Sequence, residues 1–106
     1  MSASPPVRQI RLDDDQHRWV EADVHTLNSA IQVDFHVSSS LLGRALRDEI
    51  VDAVFELPEF GDRVRVRASV PLGDFTLLDA LRRHCHDVQT RAAGSTCLVD
   101  AVTSRR

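Results

Sequence analysis

The chain has 106 residues, 42% hydrophobic and 27% charged, with a net charge of −3, values that suit one domain around one modest core. All 13 basic residues other than His are Arg, with no Lys and no Tyr, which excludes Schiff-base and P-loop lysine chemistry. The charge lacks the basic excess of a dedicated nucleic-acid binder, and no apolar run approaches transmembrane length, so neither nucleic acid nor a membrane is expected as a partner.

Residues 1–6 (MSASPP) read as a flexible tail. MSASPPVRQ has no apolar run of the kind a signal peptide needs, so a cytoplasmic location with reduced cysteines is expected. A short strand is expected at Val7–Leu12. DDDQ (13–16) reads as a solvated turn, because three adjacent carboxylates repel one another. It lacks the further oxygens at alternating spacing that a Ca²⁺ loop requires.

His17–Leu27 and Ala30–Val37 both alternate. Val20, Ala22 and Val24 share one face of the first, with Trp19, Glu21, Asp23 and His25 on the other. Ile31, Val33, Phe35 and Val37 share one face of the second, with Gln32, Asp34 and His36 opposite. Period two with one apolar side predicts half-buried strands, joined as a hairpin at Asn28-Ser29. Ser38–Ser40 offer N-caps. In LLGRALRDEIVDAVFEL (41–57), Leu42, Leu46, Ile50 and Val54 recur every four residues, widened by Ala45, Ala53 and Leu57. Arg44, Arg47, Asp48 and Asp52 are expected outside, and Pro58 ends this amphipathic helix. Glu59–Asp62 reads as a turn.

Arg63–Val70 alternates again, with Arg63, Arg65 and Arg67 outward. Asp74 is placed to cap a second helix over Phe75–Ala92, with Leu77, Leu78, Leu81, Cys85 and Val88 inward and Gly94 stopping it. Ser95–Val102 is a last strand, apolar on both faces and therefore central or covered. The expected fold is a two-layer α+β sandwich over residues 7–102 in the order β-β-β-α-β-α-β. Two helices pack on one face of a mixed sheet, and residues 103–106 form a polar tail.

Two Asp-x-His pairs, Asp23/His25 and Asp34/His36, are cofacial within their strands. An Asn28-Ser29 loop sets Asp23 opposite Asp34, whereas a loop one residue later sets each Asp opposite a His. The four side chains are a candidate Zn²⁺ or Fe²⁺ ligand set, or a small-ligand site. The competing reading is polar sheet surface, with Asp23 and Asp34 neutralised by Arg65 and Arg67.

RRHCHD (82–87) does not read as a metal box. In a helix His84 and His86 lie about 200° apart, and Cys85 falls on the apolar stripe. A disulfide between Cys85 and Cys97 is geometrically open, though two thiols are expected. The PLGD junction (71–74) is a possible anion site that Asp74 opposes by charge. The Arg stripe lacks the stacking aromatics of an RNA-reading sheet. Neither G-x-G-x-x-G nor a P-loop is present, so no cofactor is expected, and no nucleophile sits in a recognisable context.

The sheet face without helices carries Trp19, Arg65, Arg67, Leu98 and Val102, an apolar area among charges that marks an interface. The expectation is a non-enzymatic module that forms a homodimer or binds a protein partner through this face.

Overall fold

The computed structural model describes residues 8–27, 29–61 and 63–104. The tail at residues 1–6, Val7 of the expected first strand, Asn28 of the expected turn, Asp62 and the end of the polar tail lie outside the described residues. Strands β1 (Arg8–Asp13), β2 (Trp19–Leu27) and β3 (Ala30–Val37) are followed by helix α1 (Arg44–Phe55). Strand β4 (Arg65–Pro71), helix α2 (Phe75–His84) and strands β5 (Cys85–Ala93) and β6 (Thr96–Thr103) complete the chain.

The strands form one mixed sheet in the order β1-β2-β3-β4-β6-β5. Every neighbouring pair is antiparallel except β3 and β4, which run parallel across the α1 crossover. The fold is therefore the expected α+β arrangement, with one strand more than the expected order. Val20, Ala22, Val24, Val33, Val66 and Val99 turn to the helices and are buried, and they meet Ile50, Val51 and Val54 of α1 and Leu77, Ala80 and Leu81 of α2.

The extra strand corrects the second helix, which ends at His84 rather than Ala92. Cys85 is already extended, at φ −135° and ψ 159°. Residues 85–93 pair with β6 through a two-residue loop, Gly94-Ser95. Gly94 adopts φ +64° there, so it serves a hairpin rather than a helix end. Its missing Cβ makes that conformation accessible. The reversal at this loop turns β6 antiparallel to β4, and the β4–α2 crossover lands on β5, outside β6. Cys85 is buried as expected, but as the first residue of a strand.

The first helix also differs in detail. It starts at Arg44 with Gly43 at the cap position and no side-chain cap. Ser39 instead accepts a hydrogen bond from the Leu41 backbone in the preceding turn. Arg47, expected outside, is buried, while Ala45 is exposed. At the DDDQ turn, Asp14 is not merely solvated. Its Oδ1 accepts backbone hydrogen bonds from Gln16 at 2.7 Å and Arg18 at 2.9 Å, which lets His17 take φ +62°.

Candidate functional site

The β2–β3 register follows the two-residue loop. Asp23 stands opposite Asp34, Glu21 opposite His36 and His25 opposite Gln32. The diagonal pairing brings His36 Nε2 to 3.7 Å from Asp23 Oδ2. Asp23 Oδ1 accepts from Gln9 Nε2 at 2.8 Å. Asp34 accepts from the Ser69 hydroxyl at 2.7 Å and from Gln32 Nε2. Polar neighbours on three strands thus divide the two carboxylates between them. Among the described residues, no group of three or more His, Cys, Asp or Glu side chains stands where it could hold a metal ion.

Among the described residues no ion pair joins Arg65 or Arg67 to Asp23 or Asp34. Arg67 lies directly across from Asp100 of β6 and pairs with it at 3.4 Å. On the other side β4 offers β3 the pairs Arg67–Gln32 and Ser69–Asp34, so a hydroxyl rather than a guanidinium meets Asp34. The parallel register decides this, and the sequence contains no signal for it.

Around this centre the open face is sorted by charge. β1, β2 and β3 contribute Asp13, Glu21, Asp23 and Asp34 against the single Arg11, which pairs with Glu21 and lies 4.7 Å over the Trp19 ring. β4, β6 and β5 contribute Arg65, Arg67 and Arg91 against Asp100. Trp19, Leu98 and Val102 all lie on this face and are half-buried. Gln32, Asp34, Arg67, Ser69, Arg91 and Asp100 line a shallow polar depression of about 240 Å³ where the halves meet.

Of the large exposed apolar side chains, Leu27 shares the open face at the end of β2, while Leu41, Leu72 and Phe75 lie elsewhere. Leu72 and Phe75, at 53% and 71% exposure, flank the β4–α2 turn, beside clefts of about 410 and 340 Å³. Beneath them Asp74 caps α2 by accepting from the Leu77 backbone at 3.1 Å, and Arg47 Nε meets its other oxygen at 3.0 Å. Arg47 Nη1 also donates to the Leu42 carbonyl. Asp74 is thus a satisfied structural carboxylate.

His84 stacks on Phe55 with ring centroids 4.7 Å apart, and its Nε2 lies 2.7 Å from Asp52 Oδ1. His86 has turned away on β5 to meet Ser104 at 2.6 Å. The two imidazoles of RRHCHD are parted by the start of a strand rather than by helical rotation.

Cys85 pairs with Thr103 and Cys97 with Ala92, at opposite ends of the β5–β6 ladder. At about 3.4 Å per residue, that separation far exceeds the Cα distance a disulfide spans, and both thiols are free. Burial pushes the Cys85 thiol up to about 11. No helix among the described residues is long and apolar enough to cross a membrane. Comparison with protein-family models, curated proteins and solved structures found no match.

Proposed function

We propose that this chain is a non-enzymatic dimerisation domain that pairs with a second copy through its open sheet face. The carrying observation is the sorting of charge on that face, acidic on β1–β3 and basic on β4–β6–β5. A two-fold axis parallel to the strands, between β3 and β4, lays each acidic half over the partner's basic half. The strand order then sets β2 over the partner's β6, with Asp23 level with Leu98 and Leu27 level with Val102. It also sets β3 over the partner's β4, with Asp34 level with Ser69 and Arg67 two residues further along the same face. Isologous pairing of this kind is the commonest solution for small oligomers. Stacked sheets leave about 10 Å between backbones, room for the half-buried apolar side chains to meet.

Sedimentation equilibrium up to high micromolar concentration tests the reading. The expected result is a dimer that weakens with added salt, because the complementary charges are exposed. Arg65→Glu with Arg67→Glu breaks it, and adding Asp23→Arg with Asp34→Arg restores it. A salt-independent monomer throughout sinks the proposal. Trp19 fluorescence that stays constant as the dimer is diluted apart would remove Trp19 from the interface.

A further inference from the structure

The helical layer stops short of the far end of β5. Thr90 and Ala92 point to the helix side, since they pair with Val99 and Cys97. Among the described residues no helix covers them, and both are exposed. Between them and the first turn of α2 runs an apolar groove of about 340 Å³, with Cys97 and Leu78 below and Leu72 and Phe75 along its wall. β5 is the last strand of the sheet, so among the described residues one side of its backbone has no strand partner. A bulge between His86 and Gln89 interrupts the ladder, which leaves Gln89–Ala93 as the regular stretch.

An unpaired strand edge beside an apolar groove accepts an extended segment by strand addition. Alternation then fixes the chemistry of that segment. Side chains beside Thr90 and Ala92 enter the groove and are apolar. The side chain beside Arg91 lies on the open face, where among the described residues no ion pair engages Arg91, and an acidic residue fits it. A second copy fits poorly. Two-fold pairing of Gln89–Ala93 opposes Arg91 to itself, and the other sheet edge, β1, presents Arg11 at its centre. Like charges directly opposite are unfavourable.

We propose that the β5 edge and the β5–α2 groove bind an extended protein segment in which apolar and acidic residues alternate. The groove and the backbone edge lie off the face assigned to dimerisation, and Arg91 is the residue the two share.

Fluorescein-labelled, end-capped peptides alternating Val with Glu and Val with Lys test this by fluorescence anisotropy against the full chain. The expected result is saturable binding of the Val–Glu peptide, about tenfold tighter than the Val–Lys peptide, the size of one attractive contact exchanged for a repulsive one. Arg91→Glu reverses the order of the two peptides, and Ala92→Trp, which fills the groove, abolishes binding of both. Amide shifts on binding are expected to concentrate at Gln89–Ala93. Failure of both peptides to bind, or an order unmoved by Arg91→Glu, overturns the proposal. Sedimentation of Ala92→Trp, whose side chain lies on the helix side, separates the two sites: the proposal requires peptide binding to be lost while self-association is unchanged, and a loss that comes only together with a change in self-association overturns it.

Discussion

Arg47 of α1 and Asp74 at the head of α2 form a buried ion pair, 3.0 Å apart, with side-chain exposures of 9% and 7%. Asp74 holds the α2 backbone with one oxygen and Arg47 with the other. The pair ties the two helices together and fixes the β4–α2 turn, and so the wall of the β5–α2 groove. Asp74→Ala strands a buried guanidinium and removes the cap, and is expected to cost about 3–5 kcal/mol. Replacing both partners, as Arg47→Met with Asp74→Ser, leaves no lone charge and restores most of that loss. Urea denaturation of the three proteins checks the order. A double variant no more stable than Asp74→Ala would show that the pair's isolated charge is not the cause.

Gly94 carries the hairpin that makes β5 a strand. A β-branched side chain at φ +64° clashes with the adjacent carbonyl, so Gly94→Val is expected to destabilise by about 1–2 kcal/mol. Its Tm is expected to fall by about 4–8 °C for each kcal/mol lost. Thermal unfolding followed by circular dichroism gives the number, and an unchanged Tm contradicts the assigned turn.

The cysteines differ in reactivity for a physical reason. Only the thiolate attacks a disulfide reagent, and burial pushes the Cys85 thiol up to about 11. Cys97 is half-buried in the groove. Protein purified without reductant is expected to show two thiols in denaturant. In the native state one thiol, Cys97, reacts well before the other. Zero thiols in denaturant would contradict the strand register that separates the two residues.

Arg8 Nε lies 2.9 Å from Glu59 Oε2, and that hydrogen bond holds the Glu59 carboxyl below its ordinary 4.5. A folded value below the unfolded one means the contribution is present above the unfolded value and is lost as pH falls through the folded one. Glu59→Gln is therefore expected to be less stable than the native chain at neutral pH, with the gap closing on acidification below about 4.5. The gap is under about 1 kcal/mol, since half of Arg8 is in water. Guanidinium melts at several pH values read it, and a gap independent of pH rules out the linkage.

Asp23 directly opposite Asp34 places two carboxylates at the least favourable cross-strand position. Asp23→Asn keeps the acceptor for Gln9 and removes the repulsion, and is expected to stabilise by about 0.2–1 kcal/mol. A clear loss of stability would mean that the nearby imidazole of His36 outweighs the repulsion.

Local pattern was enough for much of the fold. Val20, Ala22 and Val24 against Glu21, Asp23 and His25 specify a half-buried strand, because side chains alternate strictly across a pleat. Ile50 and Val54 specify a helix face in the same way. The pattern failed at HDVQTRAA (86–93), where Val88 continues the spacing of Leu77 and Leu81 and so reads as helix. The contrary signal was Gly94-Ser95 between two short runs, a two-residue hairpin mark that outweighs a weak apolar stripe. Arg47 was misplaced because its burial depends on Asp74, 27 positions away, and no periodicity encodes a partner.

By itself, then, the sequence determined which residues turn inward, since periodicity is a property of neighbours along the chain. It also determined that the Asp-x-His pairs, Trp19, Arg65 and Arg67 share one sheet face, whereas Arg63, expected in the same stripe, precedes β4 at φ +56°. Only the tertiary structure decided what those residues meet. The parallel β3–β4 register gives Asp34 a serine instead of an arginine, β6 gives Arg67 an aspartate, and the β5 hairpin opens an edge and a groove. Such pairings join residues far apart in the chain, and their register is settled by the packing of the whole sheet rather than by any local spacing.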